Sequence, residues 1–253
     1  MVTFTEAELI AWLSPLFWPF VRVLALFSAL PVLGQRSVPA RVRVGLALLI
    51  VVAAQASLPP MPQVALDSAL AFMLVAQNLV IGLTLGFAVR IVFAAVEFAG
   101  ELIGLQMGLN YAGFFDPASG GQATAPSRFF GTVVGLLFIV INGHLLVVAA
   151  LVQSFHAFPV GPEPFGLLRA LQPQVWGAEV FSLGLWIALP LIGMLLFVNL
   201  VLGVISRVAA QMNVFAIGFP VTLGVGLLGM LLTLPMMQAP FTMALERMLT
   251  HFQ

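Results

Sequence analysis

Residues 68–112 read SALAFMLVAQNLVIGLTLGFAVRIVFAAVEFAGELIGLQMGLNYA, 45 residues without a proline and with three charges, Arg90, Glu97 and Glu101. As one helix rising about 1.5 Å per residue the stretch would run roughly 67 Å, about twice the hydrocarbon core of a bilayer. Either the helix bends back near Gly82 and Gly86 or at the charged stretch, or much of it lies outside lipid against other protein. Both readings need a helical chain in apolar surroundings. The expected fold is therefore all-α, a polytopic hydrophobic membrane protein.

The rest of the chain agrees. Of 253 residues 62% are hydrophobic and 7% charged, against about 25% charged in an ordinary soluble domain. Nine Arg with nine Asp and Glu cannot coat a water-soluble fold of this size. No lysine is present, which removes the P-loop lysine, a Schiff-base lysine and Ser-Lys nucleophile pairs. The absence of cysteine removes disulfides, thiol catalysis and cysteine-held iron or zinc, and leaves the redox compartment open. Net charge is zero, so no attraction to nucleic acid is expected. No cofactor and no metal are expected either, and partners must be found through shape and apolar surface.

A bilayer core needs roughly 20 apolar residues of helix. Charge-free runs of that order occupy Val44 to Leu66, Ser68 to Val89, Phe129 to Pro162, Val180 to Ser206 and Val208 to Leu245, and Leu9 to Gln35 carries Arg22 alone. With prolines and polar turns as punctuation, six segments are expected near 10–33, 44–58, 68–89, 130–154, 180–206 and 214–237, in one integral domain over 1–253. A seventh apolar stretch, 91–112, holds Glu97 and Glu101. Glu6 and Glu8 with no basic n-region do not suggest a cleaved signal peptide. With the N-terminus outside, Arg36, Arg41, Arg43, Arg90, Arg128 and Arg207 fall inside and Arg169 and Arg247 outside, the orientation that the positive-inside rule favours.

Arg90, Glu97 and Glu101, seven and four residues apart, share one stripe of a helix. Arg90 and Glu97 lie about 10.5 Å apart along the axis, so other helices or subunits should supply their partners. The stripe reads as an interfacial band, a proton relay or a subunit-pairing surface, and an assembly role is expected for Arg90, Glu97 and Glu101. Gly100, Gly104 and Gly108 form a GxxxGxxxG ladder, with Gly82 and Gly86, and Gly131 and Gly135, at the same spacing. Such rows let helix backbones approach closely, or act as hinges. Met107 to Pro117, MGLNYAGFFDP, brings bulky apolar groups to the start of a Gly-, Ser- and Pro-containing loop. It reads as an aromatic membrane interface or as a pore constriction that closes by filling and dewetting.

Three patterns carry no chemistry. Gly224, Gly226 and Gly229 spell GxGxxG inside an apolar run, with no preceding strand and no following acid. His144 and His156 stand without neighbouring ligands. Ser119, His144 and Asp116 have no spacing that supports a triad. Pro190, Pro220 and Pro235 imply kinks.

Four long stretches carry a family resemblance: FWPFVRVLALFSALPVLGQRSVPARVRVGLA (Phe17 to Ala47), GLTLGFAVRIVFAAVEFAGELIGLQMGLNYAGFFDPAS (Gly82 to Ser119), NGHLLVV (Asn142 to Val148) and NLVLGVISRVAAQMNVFAIGFPVTL (Asn199 to Leu223). With these, nearly the whole chain resembles the FliR family of flagellar biosynthetic proteins, export-gate subunits of bacterial type III secretion systems. GELIGLQMGLNYAGFFDP looks more like the flagellar than the injectisome branch. The resemblance implies long, kinked helices packed into a helical hetero-oligomeric gate with several copies each of two smaller hydrophobic subunits. It implies the bacterial inner membrane within the flagellar basal body, with part of the gate raised above the membrane plane. Other membrane proteins of the export apparatus, transiting unfolded substrates and lipid are the remaining implied partners. The loop 107–128 resembles the family's plug, with Phe114 and Phe115 the best candidates for closure, Met107, Leu109 and Tyr111 supporting it, and Asp116 and Pro117 shaping it.

The function so implied is that of a non-enzymatic channel subunit, forming with its partners the closed pore through which unfolded flagellar proteins leave. A self-contained secondary transporter of a small solute is the alternative, although no convincing internal repeat accompanies it. An intramembrane enzyme would need a catalytic acid, base or metal cluster within the apolar segments, and the sequence displays none.

Overall fold

A computed structural model of the chain describes residues 6–35, 37–65, 67–109, 123–161, 173–208 and 214–252. Its helices, in chain order, are α1 Glu6–Ala29, α2 Ala40–Ala54, α3 Ala69–Gln106, α4 Ala125–Val140, α5 Gly143–Ala157, α6 Pro173–Val208, α7 Val214–Thr233 and α8 Gln238–Thr250. Short 3-10 turns, Gln55–Ser57 and Leu234–Met237, follow α2 and α7. No strand occurs among the described residues, and the protein is all-α. Five helical stretches are long and apolar enough to cross a membrane, six if the broken pair α4 and α5 counts as one span.

The stretch that decides the fold is one uninterrupted helix of 38 residues. Segments expected separately over 68–89 and 91–112 are thus continuous, and neither Gly82 and Gly86 nor the charged stretch turns the chain back. The reason lies in what the glycines face. A Cβ on Gly82 would collide with the backbone oxygen of Arg22 and stand 2.8 Å from the Ala25 Cβ, and one on Gly86 would stand 2.6 Å from the Ala29 Cβ and 2.9 Å from Leu26 O. Both positions are filled by α1, and a helix face used for backbone approach has no room to hinge. The segment expected over 130–154 divides instead. Asn142 takes the left-handed conformation, φ 57°, which asparagine tolerates better than most side chains, and α4 ends there. α6 and α7 continue as helices through Pro190 and Pro220.

The chain forms two compact units, one from 1–91, 142–176 and 245–253, the other from 92–141 and 177–244. In the first, Trp18, Ala71 and Leu74 make a buried core, against which Phe17, Met61, Val64, Val75 and Val160 pack. Trp18 Nε1 donates to Pro62 O at 3.1 Å, tying the proline-rich turn after α2 to α1. In the second unit, Phe93 meets Phe138 and Phe241 edge-on, at 5.5 and 5.6 Å between ring centres. There Gly184 of α6 rides against Ala95 O of α3, where a Cβ would stand 2.7 Å away.

Candidate functional site

α3 ends where the candidate closing stretch begins. Met107 and Gly108 form a turn, and Gly108 adopts φ 80°, a conformation that glycine takes without steric cost. Gly108 therefore terminates the helix and lies past the row that Gly100 and Gly104 occupy. Met107 is fully buried. Its side chain fills the space over Gly226 of α7, where a Cβ would stand 2.6 Å from both Cγ and Sδ. The Thr222 hydroxyl lies 3.4 Å from Met107 O; its 3.1 Å partners are Gly218 O and Phe219 O of its own helix, so Met107 is held chiefly by shape. Gly226, one of the three glycines of the GxGxxG string, is thus a packing residue. Gly229 is another, since a Cβ there would strike Leu191 and Met194. Leu109 is half-buried, whereas Tyr111, Phe114, Phe115, Asp116 and Pro117 lie outside the described residues.

The chain re-enters the described residues at the start of α4, and that turn sits on one face of α3. Thr124 is the N-cap, its hydroxyl accepting from Ser127 N at 3.4 Å. In a capping box a Glu three residues on would reach back to the N-cap N–H, but Ser127 occupies that place. Glu101 supplies the missing acceptor from α3, its Oε1 accepting from Thr124 N at 2.9 Å. The Ser127 hydroxyl donates in turn to Glu97 O at 3.0 Å. Between these bonds a Cβ on Gly100 would stand 2.6 Å from Ser127 Cα, and one on Gly104 2.8 Å from Thr124 Oγ1. Spacings of three, four and seven put Glu97, Gly100, Glu101 and Gly104 on one helix face, which forms a seat for the first turn of α4.

Of the three charges in the stripe, Arg90 and Glu97 are exposed and Glu101 is half-buried. The Glu97 carboxylate packs on α4, standing 3.1 Å from the place of a Cβ on Gly131, whereas a Cβ on Gly135 would meet nothing within 4 Å among the described residues.

The other charged centre received no role from sequence beyond being a lone charge in an apolar run. Arg22 of α1 is completely buried. Its Nε donates to Asn78 Oδ1 at 2.9 Å, Nη1 to Ser154 O at 2.8 Å and to Ser154 Oγ at 3.1 Å, and Nη2 to Phe158 O at 2.9 Å. The guanidinium carbon stands 3.8 Å from the centre of the Phe155 ring. Ser154 O and Phe158 O are carbonyls at the end of α5, where a helix carries partial negative charge. A helix terminus, an amide and an aromatic face surround this cation. The available signal was Arg22 itself, because an ionisable residue in an apolar helix demands an explanation.

No cluster of His, Cys, Asp or Glu able to hold a metal ion occurs among the described residues. His156 instead shares a 3.1 Å contact with Ser57 O through Nε2.

Long apolar helices, glycine-mediated close packing and charges held by helix ends define a polytopic α-helical membrane protein. Residues 13–248 match the model of the family described as bacterial export proteins, family 1. The chain is 45% identical over 241 residues to the flagellar biosynthetic protein FliR of Escherichia coli K12, covering 95% of this chain and 92% of that protein. It is 41% identical to FliR of Pectobacterium carotovorum over 93% of this chain and 90% of that one. Identity to FliR of Bacillus subtilis is 31%, over 81% and 80%. The chain belongs to the FliR family of bacterial export proteins.

Proposed function

We propose that this chain is a channel and gate subunit of the flagellar type III protein export apparatus in the bacterial inner membrane. Membership of a bacterial export family over nearly the whole chain carries the reading. The surface of α6 supports it. In its apolar 18-residue stretch only 17% of residues are buried, against 61% in that of α3, and Phe181, Trp186, Phe197 and Leu200 are all well exposed. So much apolar surface needs lipid or other apolar subunits to cover it, as the two smaller hydrophobic subunits of a hetero-oligomeric gate would do. The work is closure and passage, with no chemical step. Phe114 and Phe115 fill the lumen at rest by bulk and dewetting, with Met107, Leu109 and Tyr111 beside them and Asp116 and Pro117 shaping the turn. They yield when a partner or an unfolded substrate opens the assembly.

The double variant Phe114→Ala, Phe115→Ala tests this assignment. The hetero-oligomer should form in normal yield while ion leakage through the membrane rises. Unchanged conductance in a fully assembled complex removes the two phenylalanines from the gate.

A further inference from the structure

We propose that the outward face of α2 binds an anionic phospholipid, with Arg41 on the phosphate and the acyl chains along Gly45, Leu48 and Val52. α2 packs against α1, and only Ala47 and Val51 of its residues are buried. Its other side is bare. Leu48 is 49% exposed, Leu49 67% and Val52 55%, and a Cβ on Gly45 would meet nothing within 4 Å among the described residues. Spacings of four, three and four put Arg41, Gly45, Leu48 and Val52 on one stripe of the helix. The notch that Gly45 leaves therefore lies between the charged residue and the apolar ones. This face holds its lipid whether or not the chain closes a channel.

Charge selects a lipid over another apolar helix. No Asp or Glu stands between Glu8 and Asp67, so the turn before α2 and the whole of α2 offer their arginines no carboxylate. Arg41 is exposed. Arg43 is half-buried, its Nη2 donating to Val38 O at 3.0 Å while its buried Nε has no acceptor among the described residues. Neither arginine serves the helix itself, because cations in a first turn oppose the helix dipole, and that turn contains no acid. Two cations at the base of a bare apolar helix are the complement of an anionic headgroup, whose phosphate oxygens a guanidinium binds bidentately. The dimensions agree. From Arg41 to Val52 the helix rises about 16.5 Å, close to half of a hydrocarbon core about 30 Å thick, so a headgroup at Arg41 lays the chains of one leaflet along the notch. A protein helix could cover the apolar stripe, but it would have to bring a carboxylate to Arg41.

The experiment is native mass spectrometry of the full chain, extracted from membranes with its bound subunits and titrated with phosphatidylglycerol and, separately, with phosphatidylcholine. Phosphatidylglycerol should bind roughly tenfold more tightly. Arg41→Gln should cut that preference about fivefold, the effect of one arginine at an anionic surface, and leave phosphatidylcholine binding as it was. Gly45→Leu fills the notch and should weaken both lipids. Raising the salt from about 0.1 M to 1 M shortens the screening length from about 10 Å to about 3 Å and should reduce the preference of the unmodified chain, a measurement that needs no variant to fold.

Equal affinity of the unmodified chain for the two lipids, a preference indifferent to salt, or an Arg41→Gln variant that keeps the full preference would each overturn the assignment. So would the loss of a bound subunit from Arg41→Gln or Gly45→Leu with lipid binding intact, which makes this face of α2 a protein interface.

Discussion

Arg22 shows how an apolar protein accommodates one buried charge. A guanidinium presents five N–H donors in a rigid planar fork, and four hydrogen bonds from it reach α3 and the end of α5. Lysine offers a single nitrogen and cannot span those acceptors. Arg22→Met would leave the Asn78 amide oxygen and two α5 carbonyls without these donors, at a cost of about 1–3 kcal/mol for each group left unsatisfied. Arg22→Met and Arg22→Lys should both lower the amount of folded protein in membranes and its thermal midpoint in detergent, Met more than Lys. A midpoint unchanged in both would show that the network adds no stability. The lone charge at Arg22 was legible in the sequence, but its partners, 56 to 136 residues distant, were not, because nothing local relates them.

At the scale of the elements, the break between α4 and α5 depends on one residue. Asn142 at φ 57° occupies a region that costs a side chain with an ordinary Cβ roughly 1–2 kcal/mol and a β-branched one more. Asn142→Gly should therefore preserve the thermal midpoint, while Asn142→Val should lower it; equal midpoints would mean that the left-handed turn is not kept in the membrane. The sequence suggested one segment over 130–154 because Asn142, Gly143 and His144 carry no formal charge and the run stays apolar on both sides of them, so the short polar break read as an interruption within one span rather than as its end. The glycine rows divide in the same way. Their spacing announced close approach, and Gly82, Gly86, Gly100 and Gly104 have a neighbouring helix against them, yet Gly135, spaced like the others, meets no neighbour among the described residues and Gly108 ends a helix. Spacing states which positions can share a face. Only the packed neighbour decides whether the face is used.

For the whole molecule, the apolar exterior makes a claim that thiol chemistry can check, since the chain has no cysteine and each introduced one is unique. Trp186→Cys and Leu200→Cys on α6 should resist a membrane-impermeant maleimide in native membranes and react once SDS exposes them. Labelling of both in intact membranes would place that face in water and count against both lipid and subunit cover. Coexpressed with two small hydrophobic partners, the chain should be extracted as one species of defined hetero-oligomeric mass; recovery as a monodisperse monomer would instead favour a self-contained transporter.

Composition and hydropathy alone determined that this chain is helical and lives among apolar neighbours, because 62% hydrophobic residues against 7% charged leave no other solvent for it. Its long motif stretches carried the family. Tertiary structure decided that α3 runs unbroken, that Glu101 serves the first turn of α4, and that Arg22 is satisfied by helix-end carbonyls. The physical reason is common to all three. Hydrogen-bond partners and backbone clearances belong to pairs of residues distant in sequence, whereas periodicity and composition describe one segment at a time.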